Sequence, residues 1–478
     1  MSWRPPLWAW IVGAVVCVLL VVGVVAWYRL LREVPQTFDN PEEMYKYGSI
    51  GVENDQGIPY RIWQVLPQLF PEYLPRPGGY EAFGLLQEPG HDTPVGIPKK
   101  VIGFERVGIN CAVCHSGSFR TDPQQTPTIV PTAPATRLDI ESYFRFFFQV
   151  AADPRFTPDY LLPAMRQAGP LDPLDEALYR FLIIPATRDG LLKQRDSFNW
   201  TDSRPAWGAG RIDPFNPVKF NQLQMDPSTD NTIGNSDMEP LWNVQAQTGF
   251  GLHWDGLNNS VTEVALTGAL GDGATKTSLP VSQVLSMMDW ASTVQPPKYP
   301  YPIDQELAAR GQPIFQQKCA DCHAYGGSRT GTVIPRAEIG TDPHRLDMWS
   351  QEAADRYNAY AADTSYKFTH FVKQDGYVAV PLDGIWLRAP YLHNGSVPTL
   401  EELLKPASQR TTDFWRGYDV YDQQQTGFVS QGADAERFGW HVDTTVAGNG
   451  NAGHEGDAYG TMLSDADKRA LVEYLKTL

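Results

Sequence analysis

The first hydrophobic feature of the chain is an uncharged apolar run over residues 7–28. At 1.5 Å per residue, a helix of this length spans roughly 30 Å, which is enough to cross a bilayer. Aromatic residues, which favour membrane interfaces, lie toward its two ends: Trp8, Trp10, Trp27 and Tyr28. A cleaved signal peptide is the alternative, but its apolar core is shorter, and residues 29–33 offer no small-residue cleavage site. The pattern favours an uncleaved membrane anchor over residues 1–34.

Helical periodicity returns in three later segments. Residues 139–152 are rich in aromatic side chains, and residues 281–291 place apolar side chains three and four apart, which predicts two amphipathic helices. A capping box at Ser464 to Asp467 predicts a last helix with Leu471, Tyr474 and Leu475 on one face. Four prolines in residues 295–303 predict a stiff, extended connector between two domains.

Composition narrows the class of protein. A chain of 478 residues suits two or three domains with real cores, and its 41 glycines and 39 prolines predict helices separated by long irregular loops. The net charge of −16 argues against binding to nucleic acid or to anionic lipid. The same charge is compatible with a basic electron-transfer partner.

Two C-x-x-C-H strings carry the chemistry: Cys111, Cys114 and His115, then Cys319, Cys322 and His323. This spacing is typical of c-type haem attachment, because the two thiols reach the vinyl groups of one haem and the histidine binds its iron. The alternatives are zinc and dithiol redox chemistry, but a zinc ribbon pairs its C-x-x-C knuckles much closer together. The sequence therefore predicts two covalently bound haem c groups. The fifth cysteine, Cys17, lies in the apolar run, which leaves no thiol for a structural disulfide.

These features predict a mainly α fold with two cytochrome c-like haem domains and long irregular loops, preceded by one transmembrane helix. The domains are an N-terminal haem domain over residues 35–294, a linker over 295–303 and a C-terminal cytochrome c domain over 304–478. In c-type cytochromes the first and last helices cross, and Gly311 and Phe315 fit the first of that pair. One arginine, Arg4, precedes the apolar segment and two, Arg29 and Arg32, follow it, so the positive-inside rule points weakly to a cytoplasmic body. The haem motifs outweigh this signal, because bacterial c-type haem is attached outside the cytoplasmic membrane. The expected location is the inner membrane, single-pass, with the body in the periplasm.

The second axial position of each iron decides whether a haem only passes electrons or also binds oxygen or peroxide. For the second haem, the leading candidate is His454 in the glycine-rich string NAGHEG. Its rivals are His393 and, more weakly, Met348 and Met462. For the first haem no partner stands out. His253 is a candidate for its distal side or for a structural role, and we expect that side to be vacant.

Further strings extend the pattern. Residues 252–256, Leu-His-Trp-Asp-Gly, are similar to an F-W-D-G-R element, and residues 384–396 contain A-P-Y-L-H-N-G-S. With the two haem motifs and the C-terminal strings GHEG and YLKTL, the chain resembles the bacterial di-haem cytochrome c peroxidase superfamily. It looks closest to the rubber-oxygenase-like branch of di-haem c-type cytochromes. The resemblance covers most of residues 107–478.

The resemblance implies roles for particular residues. By this resemblance, Trp254 stands between the two haems and helps to conduct electrons; the alternative is that Trp254 is only a buried structural aromatic. The resemblance also makes the first haem the reactive one and the second haem the electron relay. Trp254 and His253 are the candidate catalytic residues. Related peroxidases hold calcium between the domains, so calcium is a further candidate cofactor.

Two departures from the peroxidase pattern change the expected activity. Residues 116–137 lack the distal histidine of the peroxidases, and His454 would replace the usual methionine on the relay haem. We expect an oxidoreductase that takes electrons from a small redox protein, such as a cytochrome c or a cupredoxin, and reduces peroxide or activates oxygen. The short chain and the anchor argue against rubber as substrate. The alternatives are a pure electron carrier and a haem subunit of a membrane redox complex.

Overall fold

The computed structural model describes residues 6–478, so Arg4 and the other residues before Pro6 lie outside it. The fold is mixed rather than mainly α: 46% of the chain is helical, and short strands pair in small sheets throughout. The sequence pattern missed these strands because they have two to four residues. Alternation of apolar and polar residues is informative only over about four to eight residues.

The α-helices of the described residues are α1 Leu7–Ala26, α2 Pro41–Tyr47, α3 Val52–Asp55, α4 Tyr60–Leu69, α5 Cys111–Cys114, α6 Ile140–Ala152, α7 Pro158–Ala168, α8 Pro173–Leu178, α9 Ile184–Phe198, α10 Val261–Gly271, α11 Val281–Ala291, α12 Gln305–Lys318, α13 Ala320–His323, α14 Arg336–Ile339, α15 His344–Met348, α16 Gln351–Tyr360, α17 Leu400–Leu403, α18 Ala433–Phe438 and α19 Asp465–Leu475. Single π-helical turns cover Trp27–Leu31, Tyr179–Ile183 and Val218–Gln222.

The strands are β1 Glu33–Val34, β2 Ile58–Pro59, β3 Lys99–Ile102, β4 Phe104–Val107, β5 Ser116–Phe119, β6 Thr128–Pro131, β7 Arg211–Ile212, β8 Ser236–Asp237, β9 Val333–Pro335, β10 Gly376–Val378, β11 Asp413–Arg416, β12 Tyr421–Asp422, β13 Gly427–Phe428 and β14 Trp440–Asp443. The largest sheet is antiparallel with the order β1-β3-β4-β2, and the others are antiparallel pairs.

Helix α1 stands apart from the body. With the π-turn that follows it, the helix covers Leu7–Leu31, has a mean hydropathy of 2.9 over its most apolar window and buries none of that window. By length and composition it can cross a membrane. A membrane anchor and a signal sequence both fit these properties.

The predicted amphipathic helices are present as α6, α11 and α19. Asp139 caps α6 by accepting from the Ser142 amide at 3.0 Å, and Ser464 caps α19 through the Asp467 amide at 3.2 Å. The predicted crossing of the first and last helices of the cytochrome segment is also confirmed. At Gly311 of α12, a Cβ would lie 1.9 Å from the Ala470 carbonyl oxygen of α19, so only glycine allows this approach.

The hydrophobic cores connect the two sides of the predicted linker. One core joins Tyr45 and Leu266 to Trp349 and Tyr357, and another joins Trp242 to residues of α12 and α19. Segments on both sides of residues 295–303 therefore pack against each other. The division at that linker stays a prediction.

Candidate functional site

The central feature of the body is one cavity of about 1300 Å³ that both C-x-x-C-H motifs line. Pockets for one drug-sized ligand are typically about 300–1,000 Å³, so this cavity exceeds a single such site. It brings together every residue that the sequence predicted for the site: Cys111, Cys114, His115, His253, Trp254, Cys319, Cys322, His323 and His454. Aromatic side chains of α6 form part of its wall: Tyr143, Phe144, Phe147 and Phe148.

The first motif forms one short helix, α5, that starts at a buried cap. Asn110 accepts from the Ala112 amide at 2.9 Å and donates to the carbonyl of Gly48 at 2.8 Å, which ties α5 to the end of α2. His115 donates from Nδ1 to the Glu239 carbonyl at 2.6 Å. Because a carbonyl only accepts, the proton is on Nδ1 and the other ring nitrogen, Nε2, keeps a lone pair for a metal.

The histidine of the second motif is held in the same way, although different helices support this motif. Helix α12 ends at Lys318 with Cys319 as its C-cap, the turn α13 follows, and His323 donates from Nδ1 to the Val380 carbonyl at 2.7 Å. Its Nε2 is therefore also free for a metal. Burial raises the pKa of the Cys319 thiol and of the Cys111 thiol to about 12, so both thiols are neutral in the unloaded protein.

Trp254 joins the backbone segments that hold the two histidines. Its indole Nε1 donates to the Asp237 carbonyl at 2.9 Å, two residues before the Glu239 carbonyl that holds His115. Its own carbonyl accepts from the Val378 amide at 2.8 Å, two residues before the Val380 carbonyl that holds His323. Through these contacts Trp254 links the supports of both motifs.

His454 faces His323 across the cavity. Their ring centroids are 6.2 Å apart. Two imidazoles on opposite sides of one metal, each bonded at about 2.0–2.1 Å, have centroids about 6 Å apart. The His454 ring makes no hydrogen bond within residues 6–478, and its Nδ1 is buried without a partner. This placement is compatible with His454 as the second ligand at the second motif, which stays a prediction.

The loop that carries His454 is held from both sides. Arg410 donates to the carbonyls of Asn451 at 2.6 Å, Gly453 at 2.9 Å and His454 at 3.2 Å. The His454 amide donates to the Ile339 carbonyl at 2.7 Å. Burial lowers the pKa of His454 to about 3, so its imidazole is neutral, as a metal ligand must be.

The rival ligand His393 has another partner. The hydroxyl of Tyr377 lies 2.7 Å from the Asp342 carbonyl and 2.9 Å from His393 Nε2. Because the hydroxyl has one proton and donates it to the carbonyl, His393 Nε2 must be the donor in the second contact. The ring also stacks on Tyr377 at a centroid distance of 4.1 Å. His393 lines the same cavity, but its ring nitrogen is engaged in a hydrogen-bond network with Tyr377. The methionine rivals differ in exposure, since Met348 is buried and Met462 is 68% exposed.

Among the described residues, no ring lies as close to His115 as His454 lies to His323, whose centroids are 6.2 Å apart. His253 lines the cavity and has a backbone φ of 60°, and its buried Nε2 has no hydrogen-bond partner. Its ring packs edge-on against Phe215 at 5.2 Å. Burial, with Arg345 and His115 nearby, lowers the pKa of His253 to about 3. The two motifs therefore have different surroundings.

Sequence reasoning missed a buried ion pair at the same cavity. Arg345 is 1% exposed and donates to Asp255 at 3.1 Å, while its Nε and Nη1 have no acceptor. Arg388, also at the cavity, leaves its Nε unpaired. Buried guanidinium N–H groups that lack an acceptor suit anionic groups such as haem propionates. The only available signal was Asp255 within the W-D-G string.

The surroundings of the motifs also bear on the zinc alternative. Structural zinc takes four ligands from cysteine, histidine or carboxylates. Within residues 6–478, no group of three or more such side chains is placed to hold a metal ion. The free Nε2 atoms, the large apolar cavity and the opposed pair of histidines fit haem instead.

Comparison with known proteins agrees with this chemistry. Residues 376–416 match a family model described as RoxA-like, cytochrome c-like. The matched segment includes Val378 and Val380, which contact Trp254 and His323, and His393. A cytochrome c-like domain is thus present, and it implies haem c binding. The chain is a haem c redox protein by this match, which supports the rubber-oxygenase-like branch.

Two relatives come from Sinorhizobium fredii (strain NBRC 101917 / NGR234). The chain is 25% identical to "Uncharacterized protein y4iJ" over 498 aligned positions, which cover 84% of this chain and 82% of that relative. It is 29% identical to "Uncharacterized protein y4iM" over 293 positions, which cover 51% of this chain and 64% of that relative.

Proposed function

We propose that this protein is a membrane-anchored periplasmic di-haem c-type cytochrome. Electrons from a small redox protein enter at the second motif and pass by Trp254 to the first motif, where peroxide is reduced or oxygen is activated. The observation that carries the proposal is the single cavity in which both motifs lie, with Trp254 bonded to the supports of both. Bound haem supplies a reversible one-electron change at iron.

The hydrogen bonds around Trp254 support a defined route for electrons. From His115 the route runs through the Glu239 carbonyl and two residues of backbone to the Asp237 carbonyl, then to the indole. From the backbone of Trp254 it continues through Val378 and two further residues to the carbonyl that holds His323. The backbone segments 237–239 and 378–380 thereby hold both imidazoles and the indole in fixed relative positions.

The unequal surroundings of the two motifs favour an enzyme. His454 opposes His323, which supports a six-coordinate relay haem at the second motif. Ligation by two histidines gives a lower reduction potential than ligation by histidine and methionine. His115 lacks such an opposed ring among residues 6–478, which favours an open site at the first motif. A pure electron carrier is the second candidate function, and it requires a sixth ligand at both irons.

Electron paramagnetic resonance of the oxidised, haem-loaded protein separates these functions. The enzyme proposal expects one high-spin signal that responds to peroxide and one low-spin signal. Two low-spin signals that peroxide leaves unchanged would contradict it and favour the carrier. His454→Ala should convert the low-spin haem to high spin, while the matched variant His393→Ala should leave it low spin. The reverse result would make His393 the ligand.

Trp254 is tested by the rate of electron transfer between the haems after rapid mixing with reductant. Trp254→Ala should slow this transfer, and Trp254→Phe should slow it less, because the phenyl ring keeps aromatic contact but loses the bond to Asp237. Unchanged rates in both variants would remove the proposed role. The haem spectra of each variant serve as the control for correct loading.

The proposed partner is a small redox protein with a basic docking face, such as a cytochrome c or a cupredoxin. The net charge of −16 supports this choice, because opposite charge raises association rates. The rate of reduction by such a partner should fall as ionic strength rises. A rate independent of salt would argue against a charge-guided encounter.

A further inference from the structure

An exposed helix of the body carries an apolar face where a polar face is expected. Helix α8, the π-turn Tyr179–Ile183 and helix α9 form one continuous helix over residues 173–198. On its outer side, Leu174 is 43% exposed, Phe181 77% and Leu182 46%. Small apolar residues continue this face at helical spacing: Ala177, Pro185 and Ala186. Outer faces of helices in water are normally polar or charged.

The apolar face ends within the same helix. Asp189 and Lys193, which follow Pro185 by one and two turns, are exposed and charged. At 1.5 Å per residue, the distance from Leu174 to Leu182 along the axis is about 12 Å. The apolar character is therefore local to the first half of the helix, and the second half is ordinary solvated surface.

The apolar half begins beside the point where α1 joins the body. Arg29, one turn after the end of α1, donates to Asp172 at 2.9 Å and to Asp175 at 2.7 Å, and these two residues flank Leu174. The Gly103 amide then donates to the Arg32 carbonyl at 2.7 Å, after which β1 pairs with β3. The ion pairs and the strand fix the apolar face next to the end of α1.

The aromatic residues at this end of α1 mark the depth of the membrane interface. Trp27 is 54% exposed and Tyr28 51% exposed, and such side chains favour the headgroup level of a bilayer. Arg29 follows them directly, so Asp172 and Asp175 are held near the same level. The charges around the apolar face are matched, since Arg180 pairs with Asp159 at 2.6 Å.

We propose that the face formed by Leu174, Phe181 and Leu182 lies on the phospholipid bilayer that α1 crosses. Phe181 and Leu182 enter the boundary between headgroups and acyl chains, as apolar faces of interfacial helices do. This inference rests on the proposed function only in that α1 is retained as an anchor. Because the protein carries a net charge of −16, the contact depends on apolar side chains rather than on anionic lipid.

A second contact of this kind has a structural consequence. One transmembrane helix alone leaves the body free to turn about the anchor. With the apolar face on the same bilayer, the body is held at two points: at the end of α1, where Arg29 pairs with Asp172 and Asp175, and at Phe181. The orientation of the haem cavity relative to the membrane is then fixed.

Spin labels on the full-length, haem-loaded protein in phosphatidylcholine nanodiscs test the inference. A Cys17→Ser background removes the remaining free thiol, and labels are placed in Phe181→Cys, Leu174→Cys and the matched control Asp189→Cys on the same helix. The labels at 181 and 174 should be more accessible to oxygen, which concentrates in lipid, and less accessible to a water-soluble nickel chelate. The label at 189 should show the reverse.

Each other outcome has a defined meaning. A label at 181 as accessible to nickel as the label at 189 overturns the inference, and labels protected from both reagents also overturn it, because they indicate a protein partner. The intact mass of the mature chain tests the anchor separately. A mature chain without α1 overturns the anchor and this inference together, whereas nickel-accessible labels on a chain that keeps α1 overturn this inference alone.

Discussion

The crossing of α12 and α19 gives a stability prediction that can be worked out from distances. In a Gly311→Ala variant, the new methyl group would lie 1.9 Å from the Ala470 carbonyl oxygen, 2.5 Å from its carbonyl carbon and 2.9 Å from Tyr474 Cβ. Ordinary contact at such a position begins at 3.4 Å, so the helices must move apart by about 1.5 Å. The Phe315–Tyr474 contact, with centroids 5.2 Å apart, would be disturbed as well.

Two effects of opposite sign set the size of the change. Forcing an extra methyl group into a packed contact costs about 1–3 kcal/mol, and the upper end applies because the obstacle is backbone. Alanine is a better helix former than glycine in a helix interior by about 0.8–1.0 kcal/mol, which offsets part of this cost. We expect Gly311→Ala to lower the free energy of unfolding by about 2 kcal/mol.

The control is the same substitution at Gly190 of α9, where a Cβ would meet no atom within 4 Å. Gly190→Ala should raise the free energy of unfolding by about 0.5–1 kcal/mol, because only the helix preference acts there. Both variants are compared with the parent by denaturant unfolding of the haem-loaded protein in detergent. A Gly311→Ala protein as stable as the parent, beside a stabilised Gly190→Ala protein, would refute the close packing of α12 on α19.

Two further predictions concern buried charges. Arg345→Met leaves the buried Asp255 carboxylate unpaired and should destabilise the fold by about 3–5 kcal/mol, whereas adding Asp255→Asn should restore much of that loss in the same unfolding assay. An equal loss in the single and double variants would show that the ion pair does not matter. Burial raises the pKa of Glu53 to about 7, so the native state holds its proton more tightly than the unfolded state. Stability should therefore fall as pH rises from about 4.5 through 7, by on the order of 3 kcal/mol in total, and Glu53→Gln should flatten this fall. The same pH dependence in the variant and the parent would assign it to other groups.

Several features could be predicted from sequence because their physical causes are local. A C-x-x-C-H string occupies only five consecutive residues, so both haem-attachment motifs could be located without knowledge of the rest of the fold. Caps and apolar periodicity likewise act within a few residues, which is why α6, α11 and α19 were found. The close crossing at Gly311 was expected from the helix pattern of c-type cytochromes, in which glycine allows the first and last helices to approach.

The short strands and the domain contacts could not be predicted in this way. A strand of two residues, such as β1, forms because a partner strand is presented to it by the fold, and its own composition carries no signal. The same holds for the cores that join Tyr45 to Trp349 and Trp242 to α19, which form between segments far apart in the chain.

The sequence by itself determined that two haem-attachment motifs are present and where each begins, and its local patterns predicted helices α6, α11 and α19. Only the tertiary structure decided that both motifs line one cavity, that Trp254 bonds to the supports of both, and that His454 faces His323. The physical reason is the range of the interactions. Covalent attachment sites are set by spacing along one turn, whereas an opposed ligand, a bridging indole and a buried Arg345–Asp255 pair exist only when distant segments pack together.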